Sequence, residues 1–386
     1  MKFSYGQFDG SEFPTQEKLF TTDSVMEFLL DHGEQGLKAI EQLLKEGENT
    51  ELLEQMIQDG LLEKDAKGRL HLTPKAVKRL GQRSLLEIFA NLRSGMRDGH
   101  AKLSAGQGGD RLDSTKAYEF GDEISQLDFL QTLKNAIQRH GLPQRSPEGR
   151  LERIRFDERD LELHQQEGQT SCSTVVLLDQ SGSMMRNGRW HAAKRVAMAV
   201  QGLIESQFPQ DTIDFVGFYS GADRVSAMDL PLLMPKPVTI YDYQVHLKVP
   251  MGQLPRAPQH FTNLHMGLQL ARRILRRRGG ENRQIFIITD GQPTAHVEGE
   301  YVYLLYPPDQ RSTVATLKEA HLASRDGCRI ATFALIEDYW GMEWVGFVEQ
   351  MNRLTHGVAF YTSSAELAGC VMESYLSGKK KKTYVG

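Results

Sequence analysis

Residues 174–183 read TVVLLDQSGS, an apolar run that ends in one carboxylate and two hydroxyls. Aliphatic and β-branched residues followed by Gly and Ser are typical of a buried strand and the turn after it. Asp179, Ser181 and Ser183 therefore lie together where the strand ends. Their oxygens suit a hard cation such as Mg²⁺, which prefers oxygen ligands and keeps some positions for water or for a partner's oxygen.

Two positions far along the chain can complete such a site. Asp290 follows the apolar run 284–289 (QIFIIT) and precedes Gly291, a residue that permits a tight exit from a strand. If the two strands belong to one parallel sheet, Asp179 and Asp290 meet at its carboxyl edge, where open α/β sheets bind ligands. Thr262 lies on a predicted loop just before an amphipathic stretch that predicts a helix.

Together these five residues resemble the metal-ion-dependent adhesion site of the von Willebrand factor A (VWA) family. The pattern of that site is D-x-S-x-S, a distant Thr, and an Asp after a buried strand, and the resemblance covers residues 170–376. It implies that Ser181 and Ser183 bind the metal directly. Asp179, Thr262 and Asp290 would bind it directly or through water. The expected metal is Mg²⁺, with Mn²⁺ as the other candidate.

Other interpretations of the same residues fit less well. Ser and Asp also cap helices, but capping requires neither Thr262 nor Asp290. Phosphoryl transfer of the D-x-D type needs a second carboxylate as general acid where Ser181 stands. A serine hydrolase needs a G-x-S-x-G elbow, and Asp179 occupies the place of its first glycine. No phosphate-binding glycine loop is found either, so we expect no catalytic residues and no enzyme.

The second half of the chain predicts alternating strands and helices. This order implies an α/β, doubly wound fold with a mostly parallel sheet and helices on both faces, which is the Rossmann-like order of the VWA fold. The predicted elements are helix 190–206, strand 212–219, an antiparallel edge strand 224–230, a helix from 264, strand 284–289, helix 314–325, strand 329–336, helix 344–354, strand 358–362 and helix 366–376.

The first half has a different, helical character. Short helical patterns at 25–30, 37–44 and 51–57 precede a predicted hairpin at 61–72 and a helix from Pro74, an order that resembles a winged helix. The third of these helices would contact DNA, but it carries Glu and no Lys or Arg and would be repelled by phosphate. A protein-docking or purely structural module is therefore favoured over a nucleic-acid-binding one.

We expect four segments along the chain. They are a helical, winged-helix-like domain at 1–94, a linker and helical region at 95–169 with a linker over 95–120, the VWA domain at 170–376 and a basic tail at 377–386. Two further stretches would flank the metal edge: Pro231 to Pro258, which contains six prolines, and the segment with Tyr301, Tyr303 and Tyr306. Their side chains either pack onto the domain or form a rim that contacts a partner.

Composition favours a soluble cytoplasmic protein. The 386 residues include 40% apolar residues, three widely spaced cysteines without metal-ligand spacing, and a net charge of −4. No signal peptide is evident, and no apolar run approaches the roughly 18 residues of a membrane span. The charge gives no general attraction to nucleic acid, and five arginines between 272 and 278 close a predicted helix, where cations suit the helix dipole.

A helical N-terminal region followed by a VWA domain, with the sequences Ile288-Thr289-Asp290-Gly291 and Tyr306-Pro307-Pro308, is similar to bacterial VWA proteins of the CoxE-like group. This resemblance implies an adaptor that couples a MoxR-type AAA+ ATPase to a client protein, with an acidic residue of the partner completing the metal shell. The alternative is a winged-helix regulator of transcription, or another nucleic-acid-binding protein, whose VWA domain senses a partner.

Overall fold

The structure is a computed structural model, and it describes residues 21–46, 50–95, 115–118, 127–141, 156–164, 171–278, 282–336 and 342–379. The chain divides into two compact units, of which the larger combines residues 1–101 with 170–386 and the smaller comprises residues 102–169. Most of the predicted basic tail, 380–386, lies outside the described residues. No helix in the described part of the chain combines the length and the apolar character that crossing a bilayer requires.

The N-terminal part of the larger unit consists of helices and one hairpin. Gly33, with φ 57° and ψ −135°, breaks the first helix, so the predicted helices 25–30 and 37–44 are its two halves. The hairpin turns around Gly68, whose φ is 77°, and the last helix begins at Pro74. The elements are α1 (Thr22–Glu46), α2 (Thr50–Gln58), β1 (Leu62–Lys64), β2 (Leu70–Leu72) and α3 (Pro74–Gly95).

The smaller unit pairs two short antiparallel strands beside one helix. The elements are β3 (Thr115–Ala117), α4 (Phe129–His140) and β4 (Glu162–His164). The Asp128 carboxylate accepts hydrogen bonds from the backbone of Leu130 and Gln131 and caps α4 at its first turn. A strand thus lies inside the segment 95–120, for which the sequence predicts a linker, and residues 96–114 of that segment lie outside the described residues.

From residue 172 onward, strands and helices alternate, which confirms the predicted α/β class. The elements are β5 (Cys172–Asp179), α5 (Arg189–Gln207), β6 (Thr212–Phe218), β7 (Ala222–Val225), β8 (Val245–Pro250), α6 (Leu264–Arg278), β9 (Asn282–Thr289), β10 (Ala295–Glu298), β11 (Tyr301–Tyr306), α7 (Gln310–Arg325), β12 (Cys328–Leu335), α8 (Met342–Thr355), β13 (Val358–Thr362) and α9 (Leu367–Lys379). Six strands form one sheet in the order β13-β12-β9-β5-β6-β7, which is parallel except for β7 at its edge.

The central strand β5 contributes to two cores, because successive side chains of a strand point to opposite faces. Val176 and Leu178 pack in a core with α5, α9 and the N-terminal helices. Val175 and Leu177 pack in a core with α6, α7 and α8. Every residue of β5 is buried. A strand buried on both faces needs a continuous apolar run, which explains the sequence pattern that decides the fold.

A second sheet, which the sequence pattern does not predict, lies beside the first. Its antiparallel strands are ordered β10-β11-β8 and have their own core, which includes Val245, Phe261 and Leu304. β8 is an edge strand of this sheet and ends at Pro250, in keeping with the confinement of proline to edges and strand ends. The proline-rich segment and the tyrosine-bearing segment therefore pair with each other.

The N-terminal helices dock onto α5 at a pair of glycines. A Cβ added at Gly81 of α3 would lie 3.1 Å from the carbonyl oxygen of Met198, and one at Gly202 would lie 3.2 Å from the backbone of Gly81. The two helices therefore approach closely at these glycines, and a larger residue at either position would force the facing backbone to shift by a few tenths of an ångström. An ion pair between Arg195 of α5 and Glu27 of α1 adds to the contact. These contacts make the N-terminal helices part of the same unit as the sheet.

Candidate metal site

Asp179 and Asp290 lie side by side at the carboxyl edge of the central sheet. Asp179 ends β5, and Asp290 directly follows β9, the neighbouring parallel strand, in which Ile288 lies opposite Leu178. Because parallel strands end at the same edge, two residues 111 positions apart in the chain come together there.

Hydrogen bonds join four of the five expected ligands into one set. Asp179 Oδ1 accepts from the backbone N–H of Ser181 at 2.8 Å, and the hydroxyls of Ser181 and Ser183 lie 3.1 Å apart. The Ser183 hydroxyl in turn donates to Asp290 Oδ1 at 2.8 Å. On the other side, the Thr289 hydroxyl donates to Asp179 Oδ2 at 2.5 Å. Two carboxylates and two serine hydroxyls are thus held within one hydrogen-bonded group.

Thr262, the fifth expected ligand, is linked to this group through its backbone. Its N–H donates to the Thr294 hydroxyl at 2.8 Å, and Thr294 follows Asp290 on the same loop. The carbonyl of His260, two residues before Thr262, accepts from the N–H of Gly182 at 3.1 Å. The Thr262 loop therefore contacts both aspartate loops. Within the described residues, the Thr262 hydroxyl has no hydrogen bond, so its oxygen is available to another ligand.

The site holds more negative charge than its surroundings neutralise. Burial raises the pKa of the Asp179 carboxyl well above its ordinary value, and the negative charge of Asp290 raises it further. Hydrogen bonds from Thr289 and Ser181 act in the opposite direction without outweighing these effects. A cation placed among these oxygens would offset the repulsion between the two carboxylates.

Arg189 is a site residue that the sequence pattern does not reveal. Its Nη1 atom lies 2.8 Å from Asp290 Oδ2, and both side chains are buried. Arg189 begins α5, where the helix dipole disfavours a cation. The sequence signal for this pair is weak: an arginine in the first turn of a predicted helix, where a cation is unfavourable unless a carboxylate lies nearby. The pair leaves Asp290 Oδ1 directed to Ser183.

The donors present fit a hard divalent cation. All the oxygens are carboxylate or hydroxyl oxygens, which are the ligands that Mg²⁺ and Mn²⁺ prefer. Among the described residues, no group of three or more His, Cys, Asp and Glu side chains is placed to hold a metal. A metal in this site would therefore depend on the serine and threonine hydroxyls, which is consistent with the D-x-S-x-S spacing.

An exposed apolar rim adjoins the site. Val238 packs directly over Gly182, where its Cγ2 atom would lie 2.4 Å from an added Cβ. Shortly after Val238 in the chain, the side chains of Tyr241 and Tyr243 are 83% and 93% exposed, although the sequence pattern does not single them out. Met185, on the turn that carries Ser181 and Ser183, is also exposed. Large apolar side chains in water beside a candidate binding site are typical of an interface.

The three tyrosines that the sequence does single out divide between packing and exposure. Tyr303 is half-buried and stacks on His296, with ring centroids 5.2 Å apart. Tyr301 and Tyr306 are exposed, and Lys248 Nζ lies 4.1 Å from the ring centroid of Tyr301. Packing onto the domain therefore holds for Tyr303, whereas a partner-contacting rim at Tyr301 and Tyr306 stays a prediction.

One other cluster has the residue types of a catalytic triad. His296 contacts the Ser312 hydroxyl at 2.9 Å through Nδ1 and the Glu298 carboxylate at 3.2 Å through Nε2. Ser312 and His296 are fully buried, so the Ser312 hydroxyl is not exposed to solvent. The cluster joins β10 to the first turn of α7 and is structural.

Family models match two parts of this chain. The family described as Rv0959-like protein, vWA domain, matches residues 172–376, more than half of the chain. The family described as Rv0959-like protein, third domain, matches residues 110–166, which lie within the smaller unit.

The similar curated proteins come from mycobacteria and are described as uncharacterized. Rv0959 of Mycobacterium tuberculosis (strain ATCC 25618 / H37Rv) is 30% identical over 338 residues, which make up 86% of this chain and 45% of that protein. Mb0984 of Mycobacterium bovis has the same identity and coverage. The chain thus spans less than half the length of these relatives.

Among solved structures, the PilB minor pilin from Streptococcus sanguinis is 13% identical with a TM-score of 0.43, covering 58% of this chain and 66% of that one. The vWF domain of the type V pili tip protein Mfa5 from Porphyromonas gingivalis is 14% identical with a TM-score of 0.39, covering 56% of this chain and 99% of that one.

Proposed function

Since this chain belongs to the Rv0959-like vWA family, whose fold suggests a role in protein interaction, we propose that it is a non-enzymatic, Mg²⁺-dependent adaptor. Its metal site would be a metal-ion-dependent adhesion site formed by Asp179, Ser181, Ser183, Thr262 and Asp290. The observation that carries the proposal is the convergence of two carboxylates and two serine hydroxyls, with one buried arginine beside them.

In this proposal, different residues of the site contact the metal and the partner. Asp179 is buried and fixes the turn through the Ser181 N–H, whereas Ser183 is exposed and faces the partner side. A bound Mg²⁺ supplies an electrophilic centre with an exchangeable position. An acidic side chain of another protein can occupy that position, while the exposed Tyr241 and Tyr243 add apolar contact area.

We further propose that the partner is a MoxR-type AAA+ ATPase, its client, or both, in the cytoplasm. The support is the similarity to CoxE-like proteins at Ile288-Thr289-Asp290-Gly291 and Tyr306-Pro307-Pro308, together with a helical N-terminal region joined to a vWA domain. The alternative, a winged-helix regulator, has weaker support. The α2 helix carries no Lys or Arg and exposes Glu54, which phosphate would repel.

Affinity capture tests the adaptor proposal. The parent protein and an Asp179→Ala variant would serve as baits in Mg²⁺ and in EDTA, with Asp229→Ala, an exposed aspartate outside the site, as the matched control. We expect an AAA+ ATPase to be enriched by the parent and the control in Mg²⁺ and by no bait in EDTA. Equal enrichment by all three baits under both conditions would refute metal-dependent binding.

A further inference from the structure

Residues 230–236, LPLLMPK, run between the candidate metal site and the N-terminal helices, and we name them the coupling segment. Pro231 and Pro235 have no N–H to donate. Three backbone carbonyls of the segment accept hydrogen bonds from side chains elsewhere in the unit. They accept from Lys194 Nζ at Pro231 (2.9 Å), from Trp190 Nε1 at Leu233 (2.9 Å) and from Gln180 Nε2 at Met234 (3.0 Å).

One end of the coupling segment lies against residues 179–186, the turn with three of the candidate ligands, which we name the metal turn. Gln180, between Asp179 and Ser181, binds the segment twice, because its carbonyl also accepts from the Lys236 N–H at 2.8 Å. The Gln180 side chain passes over Gly217 of β6, where an added Cβ would lie 2.2 Å from Oε1. The Gln180 side chain is therefore packed closely against β6 while it binds the segment, and a shift of residues 234–236 would move the backbone that carries Asp179 and Ser181.

The other end contacts the break in α1. A Cβ added at Gly33 would lie 2.4 Å from the Leu232 carbonyl oxygen and 2.6 Å from Met234 Cγ. The segment thus fits into the space that glycine leaves at the break. Lys194 strengthens the same junction, because its Nζ donates both to Leu30 O of α1 at 2.6 Å and to the segment at Pro231.

Burying the charged side chain of Lys194 costs free energy of folding. Its side chain is fully buried, and burial lowers its pKa to about 7, although Asp31 favours the charged form. An ammonium removed from water carries a desolvation penalty, which its hydrogen bonds to the Leu30 and Pro231 carbonyls offset. What the ammonium supplies, and an apolar side chain cannot, is a hydrogen-bonded link between α1 and the coupling segment.

We infer that the coupling segment transmits the position of the N-terminal helices to the metal turn, with Lys194 and Gln180 as positioning residues. Movement of α1 at its break would shift the segment, and the segment would shift the turn through Gln180. By reciprocity, a ligand held at the turn would tighten the junction with α1. The effect on metal rests on the proposed function, whereas the mechanical link between the two regions does not.

A pair of glycine variants tests the link. Gly33→Ala and Gly60→Ala place a Cβ at similar positive φ values, 57° and 66°, but only Gly33 has the coupling segment within reach, since nothing lies within 4 Å at Gly60. Hydrogen–deuterium exchange of peptides covering 179–186 would be measured without metal in both variants. We expect exchange at least about fivefold faster in Gly33→Ala than in Gly60→Ala, the lower end of typical coupling between sites. Equal exchange would overturn the inference.

Lys194→Met provides a second variant, which removes the hydrogen bonds to α1 and to the segment and whose folding is checked by thermal unfolding. We expect faster exchange at 179–186 here too, and at least about fivefold weaker Mn²⁺ affinity by titration calorimetry for both Gly33→Ala and Lys194→Met. If the parent binds no Mn²⁺ or Mg²⁺, the proposed function fails while the exchange data still decide the link. If the parent binds metal and all variants match it in exchange, the link fails and the proposed function stands.

Discussion

Asp179 and Asp214 are two buried carboxylates on adjacent strands of one sheet, and the fold shifts their pKa values in opposite directions. Asp214 on β6 is hydrogen-bonded by Arg224 and Arg278. Burial opposes its ionisation, but these hydrogen bonds outweigh burial and lower its pKa. Asp179 has no arginine bonded to it among the described residues, and its neighbour is a second carboxylate. Its pKa is raised, first by burial and then by Asp290.

The difference lies in how many cations the fold places beside each carboxylate. Around Asp214 the chain supplies its own cations. One of them, Arg278, is the last arginine of the cluster on α6, and the first, Arg272, pairs with Asp326. Around Asp179 and Asp290, Arg189 is the one cation that the described residues place in an ion pair. One cation does not neutralise a buried pair of carboxylates. An external cation bound at this edge of the sheet would therefore reduce the repulsion between them.

The largest expected effect is on metal binding by Asp179→Asn. The substitution keeps the shape of the side chain and removes the charge, so Mg²⁺ affinity should fall by about 100-fold or more, beyond the 10–100-fold typical of outer-shell changes. Titration calorimetry with Mg²⁺ measures it. The fold should be as stable as that of the parent, because the lost charge is a destabilising one. Unchanged affinity would show that Asp179 is not part of a metal site.

Asp214→Asn should have the opposite pattern. We expect the free energy of unfolding to fall by about 2 kcal/mol, because hydrogen bonds to charged groups are worth roughly 1.5–3 kcal/mol and solvent screens the partly exposed arginines. Mg²⁺ affinity should not change. Denaturant unfolding and calorimetry measure the two quantities, with Asp229→Asn as the exposed control. A loss of metal affinity without a loss of stability would contradict the comparison.

The pH dependence should also separate the two carboxylates. With its pKa raised, Asp179 in the folded, metal-free protein keeps a proton that the unfolded chain releases above about pH 4. Its contribution to stability is therefore present below that pH and is lost as the pH rises through the raised pKa. Because metal binding requires the ionised form, Mg²⁺ affinity should be about tenfold weaker at pH 5.5 than at pH 8. The same affinity at both pH values would argue against Asp179 as the titrating group.

The smallest expected effect comes from Arg189→Met. Removing the guanidinium from Asp290 leaves the site more negative, so Mg²⁺ affinity should rise by about threefold, as expected for one charge at a partly screened distance. Arg186→Met is the matched control, since Arg186 lies on the same turn but is exposed and screened by salt. Weaker binding by Arg189→Met alone would instead show that the arginine orients Asp290 for the metal.

Much of the fold follows from local patterns. The apolar runs before Asp179 and Asp290 predict two buried parallel strands, and the helical stripes between them predict the helices of both layers. The second sheet was missed because β8 lies in a proline-rich stretch and is stabilised by β11, which is more than 50 residues away in the chain. Pairing of that kind depends on tertiary contacts and leaves a weak local signal.

Some residues of the candidate site could also be predicted from the sequence, and others could not. Strand-end position and residue type were enough to single out Asp179, Ser181, Ser183 and Asp290, because the carboxyl edge of a parallel sheet gathers the residues that follow its strands. Thr262, on a predicted loop before a helix, joined them as a candidate ligand through the resemblance to the VWA family. Arg189 and the coupling segment could not be selected, since their partners come from other parts of the chain.

The sequence by itself determined the α/β class and the oxygen-rich turn, because both follow from periodicity and residue chemistry within short stretches. Only the tertiary structure decided which buried charges are neutralised and how the N-terminal helices reach the turn. Asp214 and Asp179 look alike in sequence, each following or lying within an apolar strand. They differ in the number of arginines that folding brings to them, and that number depends on packing between distant segments.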